Sequence, residues 1–115
     1  MSLESNLKYN GRLWIEINNV PVIGPGRVEL LERIQECGSI RQAALQMNMS
    51  YRQAWQMIDH MNTHLGAPVL LSQRGGKGGG KAEVTKKGES IISEFKAFYK
   101  KFHHFLEGNT PFITL

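Results

Sequence analysis

Residues 39–61 read SIRQAALQMNMSYRQAWQMIDHM. The stretch contains the same opening twice: Ser-x-Arg-Gln at Ser39 and again at Ser50. Each serine has a glutamine three residues on, the pattern of a capping box, in which the hydroxyl takes the N3 amide and the glutamine returns to the cap. Two helix starts eleven residues apart leave room for one short helix and a tight turn. Ala43 and Ala44 let a second helix approach closely, and Asn48-Met49-Ser50 supplies the turn and the next cap. Short helix, tight turn and longer helix make a helix-turn-helix over about 39–65.

The second helix is amphipathic. Ala54, Ile58, Met61 and Leu65 form a core stripe with Trp55 beside it. Arg52, Gln53, Gln56 and His60 lie on another face. An ordinary solvated face would look much the same. However, Arg pairs well with guanine edges and Gln with adenine edges, so the face suits base reading. Ser50 and Arg41 flank it. Tyr51 has two open readings: a hydroxyl on phosphate or sugar, or a ring packed at the helix start.

Outward from this motif, the N-terminal stretch RLWIEI puts Leu13, Ile15 and Ile17 on one strand face. Asn18-Asn19 and VPVI then predict a hairpin over about 11–23, with Pro21 at an edge. GPG at 24–26 precedes RVELLERIQECG, where Leu30, Leu31, Ile34 and Cys37 recur at helical spacing and Gly38 ends the helix. Cys37 is expected in the core. As the sole cysteine it permits no internal disulfide, consistent with a reduced, cytoplasmic setting. Ala67-Pro68 is expected to end the recognition helix.

VLLSQ and KAEVT read as strands around the loop RGGKGGGK at 74–81, a wing over about 69–85. From Arg74 to Lys87 there are five basic residues (Arg74, Lys77, Lys81, Lys86, Lys87) and only Glu83 against them. That segment carries the chain's net charge of +4; the remainder is balanced. A solvated basic loop is the bland reading, and a polyanion partner the functional one. Gly75, Gly80 and Lys81 match part of a Walker A loop, but Ala82 replaces its Ser or Thr. A strand also stands where the phosphate-facing helix should begin. The nucleotide-enzyme reading fails on both counts. A wing following DNA phosphates fits instead, carried by Arg74, Lys77 and Lys81.

Thr85 is a good N-cap for a last helix over about 86–107. Its Ile91, Phe95, Phe98, Phe102 and Phe105 follow heptad spacing, flanked by Ile92, Tyr99 and Leu106. Phe95, Phe98, Phe102 and Phe105 are the candidate dimer contacts. The competing expectation is that the helix folds back on its own hairpin and first long helix, especially through Ile91 and Ile92.

LWIEINNVPVIG, RVELLERIQECGSIRQAA, MSYRQAWQMIDHMN, RGGKGGGKA and VTKKGE together resemble the N-terminal DNA-binding domain of the ModE-type molybdate-dependent regulators. The resemblance runs from about Gly11 to Leu106. It implies a LysR-like winged helix-turn-helix, mainly α with small β-hairpins, and a homodimer on a palindromic operator. Regulators of this type continue into β-barrel domains that bind molybdate or tungstate. This sequence ends at Leu115, so molybdate binding by these residues is not expected, nor is any cofactor.

His60 and His64 have a metal-capable spacing but no arranged third ligand in the sequence, and His103-His104 diverge on a helix. No nucleophile–base pattern stands out, so catalysis is not expected. No segment is apolar enough to cross a membrane. The expected function is a DNA-binding transcriptional regulator. The alternative is a protein-interaction module that kept the fold without operator binding.

Overall fold

The computed structural model describes residues 6–73 and 80–113. In chain order the elements are β1 (Ile15–Ile17), β2 (Val20–Ile23), α1 (Pro25–Cys37), α2 (Ile40–Gln46), α3 (Tyr51–Leu65), β3 (Leu70–Gln73), β4 (Lys81–Val84) and α4 (Lys86–Glu107). Helices dominate, and the strands form two antiparallel hairpins, β1-β2 and β3-β4. This is the expected winged helix-turn-helix order. α1 runs through the centre, with Leu30, Leu31 and Ile34 fully buried.

The two serine caps form. Ser39 Oγ accepts from the Gln42 amide at 3.1 Å, and Ser50 Oγ from the Gln53 amide at 3.0 Å. The turn between them uses Asn48 at φ 55°. Ala43, Ala44 and Ala54 are buried, so α2 and α3 pack backbone-close where small side chains permit it.

Asn18 and Asn19 both take positive φ (51° and 67°) at the first turn, as a two-residue hairpin of this kind requires. β1 is shorter than expected and excludes Leu13; Ile15 is 45% exposed. The register slips between Ile15 (opposite Ile23) and Glu16 (opposite Pro21). That irregularity lets the consecutive Val22 and Ile23 both enter the core, which strict alternation forbids.

Two other expectations are corrected. Cys37 is exposed, not in the core, because α1 ends there; its thiol donates to the Ser39 carbonyl at 3.3 Å. α3 stops at Gly66, which takes φ 68°, before Ala67-Pro68 is reached. A left-handed terminal glycine is a stronger stop than a proline two residues later.

The wing, the end of α3 and the start of α4 meet in one junction. The Val69 amide donates to Asn62 Oδ1 on α3 at 2.8 Å. The Thr85 amide donates to the Val69 carbonyl at 3.0 Å. Thr85 Oγ1 donates to the Pro68 carbonyl at 2.7 Å and accepts from the Gly88 amide at 3.1 Å, capping α4. On the other side, the Ala82 amide donates to the Gly38 carbonyl at 3.0 Å and ties β4 to the end of α1. Gly88 is buried where α4 crosses this junction.

α4 has 22 residues, about 33 Å of helix, in a molecule 61 Å long. Its proximal part is anchored: Ile92 and Phe95 are buried, and Lys96 pairs with Glu32 of α1 at 2.7 Å. Phe95, expected as a dimer contact, therefore belongs to the chain's own core. Farther along, Phe102 is half-buried, with its ring close against Gly11 of the N-terminal segment. Phe98 and Phe105 remain 60% and 66% exposed. The heptad seam thus splits into an inner half and an outer half.

Candidate nucleic-acid interface

α3 presents its core side through Ala54, Ile58 and Met61, all 0% exposed. The opposite stripe is Arg52, Gln56, Asp59 and Thr63, every one exposed. Gln53 and the cap Ser50 are also exposed at the first turn. Arg52, Gln53 and Gln56 make no side-chain hydrogen bond among the described residues, so their donors and acceptors are available. Asp59 sets a limit that the sequence reading missed. Its carboxylate lies on the same stripe, one turn past Gln56, and would repel phosphate oxygens. The face suited to a polyanion is therefore confined to the first two turns. The helix N-terminus adds its own positive dipole end there.

Arg41 projects from α2 toward the same end. Its guanidinium carbon lies 4.8 Å from the Tyr51 ring centroid. Tyr51 in turn meets Trp55 edge-on, with centroids 6.2 Å apart and planes at 89°. Lys81, at the start of β4, is exposed. Arg74 and Lys77 lie outside the described residues.

His60 is placed differently from the expectation. It is half-buried, and Arg27 Nη1 lies 2.6 Å from its Nδ1. Arg27 Nη1 also donates to the Val22 carbonyl at 2.7 Å. A guanidinium cannot accept, so His60 Nδ1 must offer its lone pair and the ring is neutral. His60 therefore links α3 to the hairpin through Arg27, and its Nδ1 is engaged by that contact. Arg27 sits in the first turn of α1, where the helix dipole disfavours a cation, but nothing local in the sequence names His60 as its partner. His60 and His64 do face each other, with ring centroids 4.4 Å apart. Among the described residues no group of three His, Cys, Asp or Glu could hold a metal ion.

The His60 arrangement has a pH consequence. Burial, then the Arg27 charge, then His64 hold the His60 pKa below its ordinary 6.5. A depressed folded-state pKa contributes stability that is complete above about pH 6.5 and is lost as pH falls through the lower folded value. The melting temperature of the unsubstituted chain should therefore drop on acidification from about pH 7.5 to about pH 5. His60→Gln keeps an acceptor for Arg27 and cannot titrate, so its drop should be smaller. Equal drops in a thermal melt series would exclude His60 as the responsible group.

The match to a family model decides the lineage. The model for bacterial regulatory helix-turn-helix proteins of the lysR family covers residues 26–89, from α1 through the wing into α4. The chain belongs to this family. Transcriptional regulator ModE of Haemophilus influenzae is 36% identical over 92 residues, covering 80% of this chain and 36% of that protein. Molybdenum-pterin-binding protein MopB of Rhodobacter capsulatus is 43% identical over 75 residues, 65% of this chain and 28% of that protein. The DNA-binding transcriptional dual regulator ModE of Escherichia coli is 42% identical over 69 residues, 59% of this chain and 26% of that protein. The chain thus matches little more than a third, or less, of the length of these relatives. Among solved structures, oxidized OxyR of Corynebacterium glutamicum aligns with a TM-score of 0.52 at 23% identity, covering 70% of this chain and 25% of that one. That likeness bears on the fold alone. Within the lysR-family helix-turn-helix, α3 occupies the place of the second helix of the motif. No helix among the described residues is long and apolar enough to cross a membrane.

Proposed function

We propose that this chain is the DNA-reading unit of a ModE-type transcriptional regulator, working in the cytoplasm as a homodimer on a two-fold symmetric operator. One observation carries the reading: the first two turns of α3 present Arg52, Gln53 and Gln56 exposed and, among the described residues, without side-chain hydrogen-bond partners, on the outward side of a lysR-family helix-turn-helix. Arg and Gln there offer bidentate donors and acceptors to guanine and adenine edges. Arg41 and Lys81 supply flanking positive charge, which phosphate contacts require. The resemblance to the ModE-type molybdate-dependent regulators, and the likeness to a relative named as a molybdenum-pterin-binding protein, support a link to genes of molybdate handling. No oxyanion site is assigned to these residues, and DNA binding by this chain should not depend on molybdate. Nothing in this arrangement calls for catalysis.

The test is selection of bound fragments from genomic DNA, with and without molybdate. The expected product is a palindromic site, recovered equally in both arms. Arg52→Ala or Gln56→Ala should then weaken binding to that site by about 1–3 kcal/mol and binding to random duplex less. Equal losses on both DNAs would move these residues to phosphate contact. Recovery of no sequence at all would favour a protein-interaction module on the same fold.

A further inference from the structure

We propose that Tyr51 is a positioning residue: its ring face holds the Arg41 guanidinium ready for a DNA phosphate, and its hydroxyl is not what matters. The inference rests on the DNA-binding reading above and assigns within it how the arginine is held. Three other basic side chains are committed within the fold. Arg27 bonds the Val22 carbonyl and His60; Arg33 bonds Glu29 and Gln46; Lys96 bonds Glu32. Arg41 is exposed and makes no hydrogen bond or ion pair among the described residues, yet its guanidinium is seated 4.8 Å from a ring centroid. That combination has a particular chemical result. A guanidinium over a ring is attracted through its face, while its N–H donors point outward along its edges. The group is oriented without spending a donor, and those donors match a phosphate's oxygens bidentately.

The ring itself is braced. Tyr51 sits on the first turn of α3, and Trp55, one turn on, meets it edge-on. Trp55 is half-buried and packed against the core. The succession is core, Trp55, Tyr51, Arg41, and it bridges the first helix of the motif to the second. Ordering the arginine before binding removes part of the side-chain entropy that a phosphate contact otherwise costs. Phosphate contacts carry no base information, so the effect should be the same on any duplex.

The test uses a random-sequence duplex, with affinity followed by fluorescence anisotropy across a salt series. Arg41→Ala should flatten the dependence of log affinity on log salt by about 0.9, the value for one phosphate contact. Tyr51→Leu should weaken binding about two- to fivefold, the range expected for an exposed cation–π contact. Tyr51→Phe keeps the ring and should bind as the unsubstituted chain does. In the Arg41→Ala background, Tyr51→Leu should cost nothing further. A companion measurement, ¹⁵Nε relaxation of Arg41 in the DNA-free protein, should show restricted motion with Tyr or Phe at this position and free motion with Leu. A Tyr51→Leu chain that has merely lost stability would not give that selective change. The proposal is overturned if Tyr51→Phe binds as weakly as Tyr51→Leu, which would assign the role to the hydroxyl. It is equally overturned if Tyr51→Leu costs the same without Arg41, or if Arg41 is no more restricted in the unsubstituted chain than in Tyr51→Leu. An unsubstituted chain that shows no salt-dependent duplex binding defeats the DNA reading as well; any other negative result leaves that reading standing.

Discussion

Gly88→Ala should unfold or severely destabilise the chain. A methyl group on Gly88 would lie 2.5 Å from the Val69 carbonyl oxygen and 2.6 Å from Val84 Cγ1. The first neighbour is backbone, held by the Thr85 amide, and cannot step aside without breaking that bond. Ala is worth up to about 1 kcal/mol more than Gly in a helix, a gain that favours the substitution. Overpacking a tight core site costs about 1–3 kcal/mol and sometimes more, and here two contacts are violated together. The clash should win, with a net loss of about 3 kcal/mol or more from a domain whose whole stability is about 5–15 kcal/mol. Gly26→Ala is the matched control. It also lies in a first helical turn, and a methyl group there meets nothing within 4 Å. Thermal melts should show a large drop for the first variant and little change for the second. If both behave alike, the close crossing of α4 over Val69 does not exist in solution.

Phe98→Glu with Phe105→Glu should convert a dimer into a folded monomer. The two positions are seven residues apart, on the same side of α4, and are 60% and 66% exposed in the isolated chain. Two-fold pairing would cover four such side chains, each worth about 1.5–3 kcal/mol when fully buried. Losing even about 4 kcal/mol raises a dissociation constant about a thousandfold. Because neither residue lies in the core, circular dichroism should report an unchanged fold. Phe95→Glu, by contrast, should unfold the chain, since Phe95 is 4% exposed in its own core. Sedimentation would settle the matter: an unsubstituted chain that is monomeric at micromolar concentration, or a double variant that still dimerises, rules the interface out.

These pairs of residues show where sequence reasoning succeeds. Ser39, Ser50 and Thr85 identify three helix starts because a cap is a local bond, made within three residues. The amphipathic stripe of α3 is also local, and its outward face could be read directly. What periodicity does not carry is the partner of each apolar or polar group. It cannot tell that Phe95 turns inward while Phe98 does not, since both fit one seam. His60 shares the α3 surface with Gln53, and only Arg27, 33 residues away, draws it into the fold. Cys37 fits the stripe of α1, but the helix ends there and solvent reaches the thiol. The ring of Tyr51 had two readings, and the position of Arg41 over it was visible only in three dimensions.

The bonds that bind Asn62, Val69, Thr85 and Gly88, together with the tie from Ala82 to Gly38, join the end of α3, strands β3 and β4 and the start of α4. Segments joined in this way move as rigid bodies, and motion is displaced to the nearest unpacked region. α4 projects from that block with its outer half bare of intrachain cover at Phe98 and Phe105. If a second copy packs on that outer half, a change in how the two helices cross would tilt the end of α3 and the paired strands β3 and β4 along with α4, as a lever arm does. Spacing between the two copies of α3 would then be altered by tilting, with each copy's internal geometry preserved.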